Sequence, residues 1–409
     1  MKTVKVAILG LGTVGSGVYK LIQKRADVME KTIGAQMEVK KILVRNINKK
    51  REGVDASLLT DNWNDIVEDD EIQIVIEVMG GMEPAKTMIL EALRAGKNVV
   101  SANKDLIAEE GHVLLATAEE HHVDFLFEAA VAGGIPIIRP LNSSLTADRI
   151  DEVIGILNGT TNYMMTKMFF EGADYAEVLK EAQDKGYAER NPEADVEGHD
   201  ACRKIAILTS LISGQHVDFE KIHTEGITKI TTEDMKYAKK LNMAIKLLAS
   251  SKRVGDTFSV LVAPMLLSEE HPLCNVNDVF NAVFVRGNML GDAMFYGSGA
   301  GKLPTASAVV ADVVDAAKHL HRNVVTRWDA GELELIPNAE AEHRFFVRVQ
   351  GRSEAQKEQI REAFGSVEIV ETEGLEDEFG FITEVMTEGT YSKKAEAFPE
   401  IIHMIRLAD

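Results

Sequence analysis

VKVAILGLGTVGSG, residues 4 to 17, decides the fold of the first third of the chain. Val4 to Leu9 form a short, nearly continuous apolar run rich in β-branched residues, the pattern of a strand buried on both faces of a parallel sheet. Gly10, Gly12 and Gly15 follow with G-x-G-x-x-G spacing, and Val14, Val18, Leu21 and Ile22 then repeat with helical period. Strand, glycine turn and helix in that order form a dinucleotide cradle. A side chain at the turn would keep a pyrophosphate from the backbone N–H groups at the helix N-terminus, where the dipole also favours an anion. The same glycines would also suit a turn that merely packs helix on strand.

The next strand, MEVKKILV at 37 to 44, ends in Arg45-Asn46 where a carboxylate would mark an adenosine ribose with a free 2′-hydroxyl. Lys49, Lys50 and Arg51 follow. A guanidinium grips a 2′-phosphate in a fork, so this chemistry favours NADP(H) over NAD(H), against a solvated basic loop as the plainer reading. Further strands are predicted at 72–78, 97–101 and 123–127, separated by helical patterns at 84–95 and 105–121. This alternation is the signature of a Rossmann-type doubly wound α/β sheet, whose ligand crevice lies at the carboxyl ends of the strands. SANKDLIA sets Lys104 just past such an end, facing the expected nicotinamide; the bland alternative is a surface lysine opening a helix.

A second chemical centre lies in KGYAERNPEADVEGHDACRK, residues 185 to 204, which gathers Glu189, Asp195, Asp200 and Lys204. Asp200 and Lys204 stand four apart and share a helix face, with the acid N-terminal as the pairing geometry prefers. Ala201, Ile205, Leu208 and Ile212 form an apolar stripe beside Lys204, where partial burial would lower its pKa and suit it to donate a proton. An isolated D-x-x-x-K is also what a surface ion pair looks like.

Composition sets the frame. The chain has 409 residues, too many for one core and enough for two or three domains, and an apolar content of 45% fills them. A net charge of −20 argues against nucleic acid and against an anionic membrane surface. Cys202 and Cys274 make no disulfide framework and no C-x-x-C, which points to a reducing, cytoplasmic setting. The start imitates a signal peptide with Lys2 and Lys5, but glycines interrupt the apolar run. No apolar stretch approaches the roughly 20 residues that span a bilayer.

From about residue 135 the pattern changes to longer amphipathic segments. Gly297, Gly299 and Gly301 crowd a turn before Pro304, which is placed to open a helix at N1. Together the glycine loop, SANKDLIA, FEAAVAGGIPII at 127 to 138, GILNGTTNY, GYAERNPEADVEGHDACRK and GSGAGKLPTASAVVAD closely resemble homoserine dehydrogenases, in the right order from residue 6 to about 315.

The resemblance implies reduction of L-aspartate 4-semialdehyde to L-homoserine, in threonine, methionine and isoleucine biosynthesis. It makes Lys204 the proton donor to the carbonyl and Lys104 a second catalytic or orienting lysine, with Glu189 and Asp200 holding the substrate ammonium, for which Asp195 is also suited. It places Asn158, Gly159 and Thr160 on the substrate pocket. It adds Leu11, Thr13, Val14, Gly186 and Gly301 to the cofactor contacts of Gly10, Gly12, Gly15, Arg45 and Lys104. It also implies a monovalent cation, usually sodium, at Glu128, Val131, Gly133 and Ile135, where main-chain carbonyls are credible hard-cation ligands. A homodimer or homotetramer is expected.

The implied domains are an NADP-binding domain at 1–134, completed by a helix at about 304–322, and an α+β catalytic and dimerisation domain at 135–303. After a polar, Pro337-containing linker, residues 343–409 read as a βαββαβ unit. This tail resembles an ACT-type regulatory domain and suggests L-threonine as effector, the alternative being an oligomer-contact domain. Two competing functions remain. A sugar-type oxidoreductase usually carries E-K-P where this chain has Ala102-Asn103-Lys104, and a non-enzymatic sensor would leave Lys104 and Lys204 idle.

Overall fold

The computed structural model describes residues 3–320 and 322–408; Met1, Lys2, His321 and Asp409 lie outside the described residues. The chain forms two compact units, one of Met1–Asp148, Ala206–Phe219 and Gly297–Leu333, the other of Arg149–Ile205, Glu220–Tyr296 and Glu334–Asp409.

The first unit is a parallel sheet whose strands run, in spatial order, Leu59–Thr60, Gln36–Leu43, Thr3–Leu9, Ile72–Glu77, Asn98–Ser101 and Phe125–Leu126. Counted along the chain this is 3-2-1-4-5-6, the doubly wound dinucleotide-binding order. Helices form between the strands where the apolar period lengthens: Thr13–Lys24, Ala85–Arg94 and Lys104–Glu120. The helix Lys302–Lys318 returns to this unit and crosses Thr13–Lys24 so closely that a β-carbon at Gly17 would stand 2.9 Å from the Lys302 carbonyl. Val6, Ile8, Val18, Ile22, Ile42, Ile74, Val309 and Val313 pack there into one core. Pro304 is the third residue of the returning helix rather than its first; proline is tolerated there because first-turn N–H groups have no intrahelical acceptor.

The second unit carries a long sheet with the strand order Phe280–Gly287, Ile150–Ile156, Met243–Val254, Thr257–Ser268, Ile401–Ala408, Glu342–Gln350, Glu378–Thr383, Val367–Val370. The last four, with helices Glu354–Phe364 and Glu388–Ala395, are the tail in β-α-β-β-α-β order, arranged 4-1-3-2. Phe345, Val347, Phe364, Phe379, Phe381 and Tyr391 give it a core of its own. It does not stand apart beyond a linker, however. Ile401–Ala408 pairs in parallel with Thr257–Ser268, matching Met265, Leu266 and Leu267 to Arg406, Leu407 and Ala408. The edge of the tail's sheet was invisible in its sequence, because any unpaired strand edge accepts another strand.

Among the described residues, no helix is long and apolar enough to cross a membrane.

Candidate active site

In the first unit the three glycines serve different ends. Gly10 takes φ +96°, open to glycine alone without strain, and a β-carbon there would meet the Met79 side chain at 2.9 Å. At Gly15 a β-carbon would stand 2.1 Å from the Gly10 carbonyl, so glycine is needed for the helix to press on the turn. Gly12 faces open space with nothing within 4 Å, the position where a pyrophosphate needs unobstructed backbone. Leu11 lies in the turn, Thr13 and Val14 open the helix, and Arg45 stands exposed just past Gln36–Leu43. Arg51 shapes the basic loop by donating to the carbonyls of Asn46 and Lys49 at 3.0 and 2.8 Å.

The strand ends beside this turn are held by a carboxylate that the sequence reading missed. Glu77 is fully buried, accepts from the backbone N–H groups of Met79 and Gly80 at 2.7 and 3.1 Å, and accepts from Ser101 Oγ at 2.6 Å. Ser101 Oγ in turn accepts from the Asn103 N–H, and Asn103 caps the helix that Lys104 begins by accepting from the Leu106 N–H at 3.3 Å. Lys104 is therefore the first residue of a helix fixed by a buried acid.

In the second unit, Asn158 ends the stretch after strand Ile150–Ile156 and is the N-cap of helix Gly159–Glu171, its Oδ1 accepting from the Thr161 N–H at 2.9 Å. Its Nδ2 donates to Asp195 at 2.7 Å and to Asp200 at 2.9 Å. One amide thus draws two carboxylates together. Burial raises the Asp195 pKa, opposed by the hydrogen bond from Asn158 and reinforced by the neighbouring Asp200 charge. Lys204, on helix His199–Ser213, donates to Asp200 Oδ2 at 2.7 Å and to the Leu157 carbonyl at 2.7 Å. An ammonium has three N–H donors, so one is left for a substrate oxygen. Thr160 donates to the Tyr187 carbonyl at 2.7 Å, tying this helix start to the loop that carries Gly186 and Glu189. Gly186 takes φ +74° after helix Tyr175–Asp184, and Glu189 is exposed, outside the cluster of Asn158, Asp195, Asp200 and Lys204.

A family model described as homoserine dehydrogenase matches residues 136–314, and one described as homoserine dehydrogenase, NAD binding domain, matches residues 10–128. The chain belongs to the homoserine dehydrogenase family. It is thereby an NAD(P)-dependent oxidoreductase. The homoserine dehydrogenase of Bacillus subtilis is 48% identical over 325 residues, covering 79% of this chain and 75% of its own. That of Mycobacterium bovis is 40% identical over 420 residues, covering 98% and 95%, tail included. The crystal structure of a homoserine dehydrogenase from Thiobacillus denitrificans superposes with TM-score 0.93 at 37% identity, covering 100% of this chain and 99% of that one. A hyperthermophilic archaeal homoserine dehydrogenase in complex with NADPH gives TM-score 0.66 at 27% identity, over 77% of this chain and 97% of that one.

Within this homoserine dehydrogenase, the loop expected to hold a cation is in the first unit. Glu128 is buried; its Oε1 accepts from the N–H groups of Ile137 and Ile138 at 2.6 and 2.8 Å and its Oε2 from that of Arg139 at 2.8 Å. Its own N–H donates to Asp312 at 2.7 Å, and Asp312 is paired with Arg139. Burial, partly offset by Arg139, pushes the Asp312 carboxyl up to about 7. Val131 and Ile135 are buried and flank Ala132 and Gly133, both in the left-handed region at φ 56° and 57°. Glycine at 133 also admits a close approach, since a β-carbon there would lie 2.2 Å from the Gly299 carbonyl. Gly301, at φ +116°, is the N-cap of Lys302–Lys318. Among the described residues no group of three or more His, Cys, Asp or Glu side chains forms a metal cluster.

Proposed function

We propose that the enzyme interconverts L-aspartate 4-semialdehyde and L-homoserine, with Lys204 as proton donor and with NADP(H) preferred over NAD(H). The observation that carries this is the Lys204 ammonium, fixed at 2.7 Å by both Asp200 and the Leu157 carbonyl beside two acids bridged by Asn158. The bound dinucleotide supplies or takes up the hydride at the substrate's terminal carbon. In the reducing direction the aldehyde oxygen gains negative charge, and the third N–H of Lys204 donates its proton as the alkoxide forms. Asp195 and Asp200 receive the substrate ammonium, with Glu189 approaching from its exposed loop. Lys104 orients the reacting groups.

The cofactor is taken by Gly10, Leu11, Gly12, Thr13, Val14, Gly15, Arg45, Gly186 and Gly301, Arg45 selecting the 2′-phosphate. A sodium ion is taken by the carbonyls of Val131, Gly133 and Ile135. Glu128 fits this role because a carboxylate has about four acceptor positions and three are used here, leaving one for a cation. A cytoplasmic homodimer or homotetramer serving threonine, methionine and isoleucine synthesis, inhibited by L-threonine through an ACT-type tail, completes the reading.

The test is a steady-state assay with aspartate semialdehyde and each of NADPH and NADH. Turnover with NADPH at the lower KM supports the reading; absence of turnover with either cofactor refutes it.

A further inference from the structure

The NGTTNY stretch at 158 to 163 supplies Asn158, Gly159 and Thr160 to the substrate reading and leaves its last residue, Tyr163, without a part. Tyr163 lies on helix Gly159–Glu171 and is 4% exposed. Its hydroxyl donates to Glu181 Oε1 at 2.7 Å and accepts from Lys185 Nζ at 2.8 Å, so a carboxylate and an ammonium meet on one buried phenol. The same ammonium lies 5.2 Å from the centre of the Tyr163 ring, and the Tyr187 ring meets that ring edge-on with centroids 5.1 Å apart.

Helix packing alone does not call for this arrangement. Glu181 belongs to helix Tyr175–Asp184, which already buries Val178 and Ala182 completely. What the phenol adds lies past the end of that helix, where Lys185 is the C-cap and the chain turns at Gly186. The Tyr187 and Ala188 N–H groups both donate to the Ala182 carbonyl, at 2.8 and 3.2 Å, and the Tyr187 carbonyl accepts from Thr160 Oγ1 at 2.7 Å. Thr160 and Tyr163 stand three apart and share one face of their helix. That face therefore holds the loop twice, at Lys185 through the phenol and at Tyr187 through its ring and carbonyl. Glu189 follows two residues later, its carbonyl accepting from Gln183 Nε2 at 3.1 Å. Its side chain is exposed and is not fixed by packing, so where it reaches depends on its backbone. Asn158, which caps the same helix, draws Asp195 and Asp200 together, so one helix start sets both the acids and the loop.

We propose that Tyr163 is a positioning residue for the reaction, its phenol latching residues 185 to 189 so that Glu189 is held where it meets the substrate ammonium. The inference rests on the homoserine reading and on the part given there to Glu189. Tyr163 touches no reacting atom in this account. It acts through the loop, and the consequence is specific: losing the latch weakens substrate binding, while Lys204 keeps its own anchors on Asp200 and the Leu157 carbonyl.

The experiment measures steady-state kinetics and melting temperature for wild type, Tyr163→Phe, Glu189→Gln and the double variant. Phenylalanine keeps the ring and removes only the hydroxyl. KM for L-homoserine should rise by about 5- to 20-fold in Tyr163→Phe, with kcat within about threefold of wild type. In the Glu189→Gln background the same substitution should change KM by less than about twofold, because a residue that acts through Glu189 then has nothing left to position. A phenol that only fastened one helix to another would lower the melting temperature and leave KM unmoved. A homoserine KM within about twofold of wild type in folded Tyr163→Phe therefore overturns the proposal, and so does an undiminished rise in the Glu189→Gln background. Should Tyr163→Phe lack a cooperative melt, Glu181→Gln, which weakens the latch from its partly exposed side, is read by the same criteria. A Glu189→Gln enzyme with wild-type KM removes Glu189 from substrate binding and this inference with it. A wild type that does not oxidise homoserine overturns the homoserine reading itself.

Discussion

Arg406, on the last strand of the chain, grips Glu225 with two hydrogen bonds of 2.9 and 2.8 Å, 181 residues away in sequence. The same guanidinium, 2% exposed, also donates to both oxygens of Glu388. A parallel arrangement holds Arg348, which meets Asp234 at 2.8 Å and Glu378 at 3.0 and 2.9 Å. Glu225 leads into Gly226, where a β-carbon would lie 2.1 Å from the Val196 carbonyl, next to the Asp195 that Asn158 holds. The tail is thus clamped, through a buried arginine, onto the backbone next to Asp195.

Removing one partner of such a buried pair costs about 3–5 kcal/mol, because the other is left charged and unpaired. Arg406→Leu should therefore lower stability by that amount in urea unfolding, and a second change, Glu388→Leu, should recover part of it. A loss below 1 kcal/mol for the single variant would show that water reaches the pair.

Ending the chain near Glu342, which the linker pattern presents as a clean excision, removes both arginines and one neighbour of strand Thr257–Ser268. The shortened protein should melt well below wild type or aggregate. The threonine response is better sought in the intact chain, where millimolar L-threonine should depress turnover and shift the melting temperature. Neither change would leave the tail as an assembly element.

Lys204→Ala should reduce kcat by about 10²- to 10⁴-fold, the usual worth of a positioned proton donor, with NADPH binding retained. A reduction under threefold, measured in single-turnover as well as steady-state assays, would remove Lys204 from the chemistry.

Arg45→Ala should weaken NADPH by about 10- to 100-fold and leave NADH nearly unchanged, since only a 2′-phosphate offers the fork-shaped, charge-assisted contact. Fluorescence titration with both cofactors decides it. Equal losses would make the basic loop a general phosphate attractor.

Lys246 is 2% exposed, and its ammonium donates to the Val276 carbonyl at 2.6 Å, Asn277 Oδ1 at 3.0 Å and Asn162 Oδ1 at 3.2 Å. Burial lowers its pKa to about 8, against the raising influence of Cys274 and Asp278. Between about pH 8 and 10.5 the unfolded chain therefore binds more protons at this residue than the folded one, and this group makes stability rise with pH across that window. Relative to Lys246→Met, wild type should gain melting temperature from pH 8 to pH 10. Parallel pH profiles for the two proteins would place the titration elsewhere.

The sequence by itself determined what depends on neighbours along the chain. The glycine turn between strand and helix, the alternation that makes a parallel sheet, the Asp200–Lys204 pair one helical turn apart and the β-α-β-β-α-β order of the tail are all local, because turn sterics and the periods of helix and strand act over a few residues. Only the tertiary structure decided which distant groups meet. Asn158 draws Asp195 and Asp200 together across 37 and 42 residues, Glu77 reaches Ser101, and the tail's edge strand joins the sheet of the second unit. Pairing of strand edges and burial of charge leave no periodic trace in a chain, since each needs only one complementary group brought close by everything folded in between.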